Sequence, residues 1–276
     1  TCALDIIGAK LVREVENGEI VVITENNLES IKPFPKVKER SCIFEYIYFS
    51  RPDSIINNIS VYEYRKKLGS ELAKESHIDT DLIIPVPDSG VPAAIGYAEE
   101  IKKNVELGII RNHYVGRTFI EPTQQIRSLG VKLKHSINKS LVKNKSIILI
   151  DDSLVRGTTS EKIIKMLYES GAKEVHLRIA SPPIKYPDYY GVDTPDKMEL
   201  LASKFDLKGM QKFINAKTLQ FLSIQGLYKS MGYKKRNDLY PQFTDHCFTG
   251  EYPVEPIDAN KENFIGEQLS FLSSKS

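Results

Sequence analysis

The stretch from Ile147 to Lys162, IILIDDSLVRGTTSEK, decides how the whole chain is read. A short, uninterrupted apolar strand delivers two adjacent carboxylates, Asp151 and Asp152, to its carboxyl end. Ser153 follows, and the small-residue loop Arg156-Gly157-Thr158-Thr159-Ser160 opens a helix carrying Ile163, Ile164 and Leu167. In open parallel sheets, ligands bind at that edge. The loop offers backbone N–H groups, three hydroxyls and the positive end of a helix dipole, which together suit a phosphate monoester. Glycine lets the backbone approach closely. Carboxylates repel phosphate, so Asp151 and Asp152 need another partner: sugar hydroxyls, or a hard cation such as Mg²⁺ that prefers oxygen ligands. A helix N-cap is the plainer account of Asp-Ser at a strand-to-helix turn. No GxxxxGK[ST] Walker loop is present, and no GxGxxG follows any strand.

The flanking sequence repeats this alternation. Val61, Tyr64, Leu68 and Leu72 fall on one helical face, and DLIIPVP (81–87) reads as a buried strand ending at Asp88-Ser89-Gly90. Ala94, Ile95, Ala98 and Ile101 resume the helical step. VHLRIA (175–180) is a third strand, and Ser170-Gly171 before it suits a helix C-terminus. Strands alternating with helices predict an α/β fold with a parallel sheet flanked by helices. Before this unit, LVREV and EIVVI around Asn17-Gly18 predict a β-hairpin, and IKPFPKVK (31–38) a linker. From GEYPVEP onward periodicity fades, and the chain end reads as a mobile tail.

Composition narrows the function. In 276 residues, Lys+Arg of 38 against Asp+Glu of 36 gives a formal charge of +2, too even for a protein that binds polynucleotide through overall basicity. No apolar run approaches the roughly 18 residues of a membrane helix, and the N-terminus lacks a signal-peptide layout, so a cytoplasmic protein with no membrane or nucleic-acid partner is expected. Cys2, Cys42 and Cys247 form no CxxC pair, which argues against a disulfide framework or a self-contained zinc site.

IILIDDSLVRGTT resembles the phosphoribosyl-diphosphate (PRPP) motif of type I phosphoribosyltransferases. LIIPVPDSGVPAAIGYA, RNHYVGRTFIEPTQQIRSLGVKLKH, VHLRIASPPI and FLSIQGLY are similar to the amidophosphoribosyltransferase family, which opens de novo purine synthesis. The resemblance covers nearly the whole chain. It implies a type I phosphoribosyltransferase fold over 34–232, preceded over 1–33 by a hairpin remnant of an N-terminal nucleophile glutaminase domain and a linker, and followed by a partly mobile extension over 233–276. Asp151 and Asp152 would be catalytic, holding the ribose hydroxyls and, with Ser89, the Mg²⁺. PRPP would contact Asp88, Ser89, Gly90, Ser153, Arg156, Gly157, Thr158, Thr159 and Ser160. The basic stretch Arg111–Lys134 would be a loop closing over PRPP and contributing catalytic Arg117; a merely solvated basic loop is the simpler reading of such a run.

Implied chemistry is pyrophosphate departure and attack of ammonia, from glutamine in the complete enzyme, at C1 of PRPP. The product is 5-phosphoribosylamine, a homo-oligomer is expected, and purine nucleotides are expected as inhibitors overlapping the PRPP pocket. The sequence departs from the family in two ways. No CGVFG-like nucleophile motif occurs, and TCALDIIGA resembles the far end of the glutaminase domain, so glutamine hydrolysis is expected to be absent and Cys2 to be a small core hydrophobe. Some members hold a [4Fe–4S] cluster on four cysteines; here Asp188 and Thr244 replace two of them beside Cys42 and Cys247, so no cluster is expected. The competing readings are a non-catalytic PRPP- or nucleotide-binding remnant and a purine-base salvage phosphoribosyltransferase.

Overall fold

The computed structural model describes residues 2–112, 134–192 and 196–255. Four strands form the central sheet: β1 (Leu82–Pro85), β2 (Ser146–Asp151), β3 (Glu174–Ile179) and β4 (Thr218–Phe221). They lie side by side in the order β4-β3-β2-β1, and every neighbouring pair is parallel. All carboxyl ends therefore open on one edge, as the alternating pattern predicted.

Apolar residues in β1 and β2 are buried on both faces because helices cover both. Ile83, Ile148 and Ile150 join a core with α1 (Val61–Ser76), α2 (Val91–Glu100) and α4 (Ile224–Ser230). Leu82, Ile84, Ile147 and Leu149 point the other way, into a core with α3 (Thr158–Glu169) and the short helix Leu207–Phe213. The period-2 alternation of strand side chains thus feeds two cores from one continuous apolar run. Val61, Tyr64, Leu68 and Leu72 are all buried along one side of α1, whose start is capped by Ser60 accepting from the N–H of Glu63. α3 ends at Ser170, with Gly171 at φ +91°, a left-handed position that glycine occupies without steric cost.

The N-terminal hairpin is present but displaced. Strand Ile20–Ile23 pairs antiparallel with Leu28–Ile31, turning at Thr24–Asn27, rather than with Leu11–Val15 across Asn17-Gly18. Asn17-Gly18 does form a turn, with Glu19 N–H donating to the Glu16 carbonyl, but side chains close it: Arg13 donates twice to the Glu19 carboxylate, leaving Leu11–Val15 outside any ladder. Cys2 is also not a core residue. It is half-buried, accepts from the Ser54 hydroxyl, and lies in a helix, Cys2–Ile6, with no buried side chain. The opening of the tail is docked: Tyr252 donates to the Pro187 carbonyl and Val254 N–H to the Tyr190 hydroxyl. The remainder of the predicted tail lies outside the described residues.

Candidate functional site

β1 and β2 are direct neighbours in register from Leu82 opposite Ile147 to Pro85 opposite Ile150, so the loops leaving them start side by side. Val86 N–H donates to the Ile150 carbonyl. Gly90, which opens α2, sits so close that a Cβ there would lie 2.5 Å from the Ile150 carbonyl oxygen and 3.2 Å from Asp151 Cα. No larger residue fits. The Asp88-Ser89-Gly90 loop is thereby pressed onto the strand end that carries Asp151 and Asp152, and the peptide between Pro87 and Asp88 is cis.

Asp151 and Asp152 are both buried. Asp151 accepts from the Asp152 backbone N–H at 3.0 Å, and Asp152 accepts from the Ser153 hydroxyl at 2.7 Å. Burial first, then the neighbouring Asp152 charge, pushes the Asp151 carboxyl well above the usual carboxylate range. The helix-cap account of these acids does not hold. α3 starts only at Thr158, its N-cap is Gly157 at φ +77°, and no side chain caps it. Its first amides are left for another acceptor. Thr158 and Thr159 face solvent, while Ser160 is buried.

A wall that no sequence pattern revealed stands behind this loop. Leu201 N–H donates to the Val155 carbonyl at 2.9 Å, and a Cβ on Gly157 would meet Leu201 Cδ2 at 2.7 Å. Arg156 Nε donates to Glu199 at 2.7 Å. On the opposite side, Arg111 is ion-paired with Asp88. The structure thus brings Asp88, Ser89, Gly90, Asp151, Asp152, Ser153 and Arg156 through Ser160 to one sheet edge. Arg117 lies outside the described residues, as does most of the predicted closing loop. The signal for the Glu199 wall was present only as buried Leu200 and Leu201 after an acidic residue, a pattern shared by many short helical turns.

A hard cation suits the donor set here: Asp151, Asp152 and Ser89 offer only oxygens, and a positive charge would relieve the buried, mutually repelling carboxyls. An iron–sulfur cluster does not suit the other candidate positions. Cys42 and Thr244 face each other across a backbone bridge, and Thr244 donates its hydroxyl to the Arg40 carbonyl. Asp188 accepts from the N–H groups of Tyr190 and Val192 and lies 2.7 Å from His246 Nε2. His246 is buried, with the rings of Tyr190 and Tyr252 at 5.3 and 4.9 Å. Burial pushes both the Cys42 and Cys247 thiols up. A cavity of about 340 Å³ adjoins Cys42, Asp188, Thr244 and His246. Among the described residues, no group of three or more His, Cys, Asp or Glu is arranged to hold a metal through protein ligands alone.

Residues 59–183 match the phosphoribosyl transferase domain family. The amidophosphoribosyltransferase of Rhizobium etli is 55% identical over 99% of this chain and 56% of its own length, and that of Bacillus subtilis is 48% identical over 92% and 53%. Amidophosphoribosyltransferase 1, chloroplastic, of Arabidopsis thaliana is 49% identical over 97% of this chain and 46% of its own length. Among solved structures, glutamine PRPP amidotransferase from B. subtilis, complexed with ADP and GMP, superposes with a TM-score of 0.82 at 48% identity, over 92% of this chain and 56% of that one. The chain spans about half the length of the curated relatives it matches. With a parallel phosphoribosyltransferase sheet, a carboxylate pair beside an uncapped helix and this identity along nearly its entire length, the chain belongs to the amidophosphoribosyltransferase family.

Proposed function

We propose that the chain binds PRPP at the β1 and β2 strand ends and transfers ammonia to C1, giving 5-phosphoribosylamine and pyrophosphate, the first step of de novo purine synthesis. The observation that carries this reading is the convergence at one edge of the buried Asp151–Asp152 pair, the Asp88-Ser89-Gly90 loop packed against it, and the uncapped N-terminus of α3 behind Gly157. In this reading the phosphoribosyltransferase domain spans 34–232, between the 1–33 hairpin segment and the 233–276 extension, and the site works in the cytoplasm. Among the described residues no helix is long and apolar enough to cross a membrane.

The N–H groups and hydroxyls of Gly157 to Ser160 hold the 5′-phosphate, where the dipole of α3 favours an anion. Asp151 and Asp152 accept from the ribose hydroxyls, fixing the sugar as positive charge builds at C1. Ser89 and Gly90 bound the pyrophosphate, with Arg111 at that edge, and Arg117 is proposed to shield the leaving group. Mg²⁺, held by Asp151, Asp152 and Ser89, would neutralise departing pyrophosphate when bound. Ammonia attacks from the opposite face. Neutral and desolvated, it needs positioning more than activation. Free ammonia is the donor proposed for these residues.

The folded chain given PRPP, Mg²⁺ and ammonium at high pH is expected to release pyrophosphate in proportion to ammonium. Folded protein that releases none under those conditions would overturn the assignment of turnover. A second reading, a non-catalytic PRPP- or nucleotide-binding module, draws support from the ADP and GMP bound to the B. subtilis relative. Calorimetric uptake of PRPP or GMP without turnover would select it.

A further inference from the structure

Beside the proposed 5′-phosphate loop stands a short turn, Lys197–Glu199, fixed from several directions. Asp196 caps it by accepting from the Lys197 N–H, and the Glu199 N–H donates to the Asp196 carbonyl. The next two residues, Leu200 and Leu201, are fully buried, and Leu201 is tied to Val155 immediately before Arg156. Glu199 is therefore presented from a rigid base to a residue of the phosphate loop. It uses one bond: the Arg156 Nε–H donates to a Glu199 carboxylate oxygen at 2.7 Å. Among the described residues, that carboxylate is the only hydrogen-bond or ion-pair partner of Arg156.

Guanidinium is a planar fork with five donors. An acceptor that takes only Nε–H restrains the fork on one side and leaves both terminal amino groups available, in the arrangement that meets phosphate oxygens in pairs. We infer that Glu199 is a positioning residue for the PRPP site, holding Arg156 by its Nε so that its two amino groups face the 5′-phosphate.

This inference rests on the PRPP reading above and deepens it. The pair is half exposed on each side, so Glu199 adds little to overall stability, and its contribution is read in ligand affinity.

Calorimetric titration of the full chain with PRPP, ribose 5-phosphate and pyrophosphate, each with Mg²⁺, separates the possibilities. PRPP and ribose 5-phosphate share the 5′-phosphate, whereas pyrophosphate lacks it. Glu199→Ala is expected to weaken PRPP and ribose 5-phosphate by the same factor, about fivefold, and to leave pyrophosphate within about twofold of the unsubstituted chain. Glu199→Gln, whose amide oxygen still accepts the Nε–H, should stay within about twofold for all three ligands. Glu199→Ala added to Arg156→Ala should cost nothing further, because the two act as one unit. Undiminished binding of both sugar phosphates by Glu199→Ala, or an equal loss of pyrophosphate binding, overturns the inference while PRPP binding by the unsubstituted chain keeps the site reading intact. No PRPP uptake by the unsubstituted chain overturns both.

Discussion

Asp151→Asn is expected to abolish ammonia-dependent pyrophosphate release while raising the melting temperature. The two effects have one cause. Asp151 is buried beside Asp152, and its carboxyl is held well above the usual range, by burial first and by the neighbouring charge second. Between the usual carboxylate pKa and that raised value, the folded protein retains a proton that the unfolded chain has lost. Stability therefore falls as pH rises through this window, and a charge on Asp151 destabilises the fold. Asparagine keeps the oxygen that accepts the Asp152 N–H and removes the charge. A gain on the order of 1 kcal/mol, about 2–4 °C for a chain of this size, is expected. If Asp151 fixes the ribose as proposed, its loss should cost about 10²-fold or more in turnover. Calorimetry and a pyrophosphate assay on the same preparation check both. A variant less stable than the unsubstituted chain at pH 7 but equal to it at pH 4 would contradict the assigned charge state.

Gly69→Ala and Gly96→Ala should have the largest effects on stability of any single methyl added at the described glycines. α1 and α2 cross backbone to backbone: a Cβ on Gly69 would lie 1.8 Å from the Ala93 carbonyl oxygen, and one on Gly96 would lie 1.8 Å from the Lys66 carbonyl oxygen. Neither obstacle is a movable side chain. On a free helix surface, Gly→Ala stabilises by about 1 kcal/mol. Here the helices must separate, and a loss of at least about 3 kcal/mol is expected, the upper end of overpacking costs. Because α2 begins at Gly90 against Asp151, the same displacement should weaken PRPP binding. Urea titrations of Gly69→Ala and Gly96→Ala measure the loss. A neutral or stabilising result would mean that the helices do not approach as described.

The sequence made the central sheet readable because β1 and β2 are buried on both faces and appear as unbroken apolar runs, while β3 sets Val175, Leu177 and Ile179 at alternate positions around buried His176 and Arg178. β4 escaped. Among the described residues Thr218-Leu219-Gln220-Phe221 pairs only with β3, its burial is mixed, and four residues with alternating polarity carry too little pattern to stand out. The displaced hairpin shows a different limit: Asn17-Gly18 made the turn its residues favour, yet Arg13 and Glu19 closed it through side chains, and the ladder formed one turn later at Thr24–Asn27. Long-range partners were equally hidden. The site's acids and glycines were visible because they lie within single loops, but Arg156 and Glu199 are 43 positions apart. Likewise, Asp188 and His246 meet only after two segments fold together, and no local spacing records that pairing.

A crystal structure of the full chain soaked with PRPP and Mg²⁺ will show whether the strand-end loops form the PRPP site. The 5′-phosphate is expected on the N–H groups of Gly157 to Ser160 and the ribose hydroxyls on Asp151 and Asp152. PRPP bound elsewhere, or an ordered sugar phosphate that leaves Asp151 and Asp152 uncontacted, would contradict it.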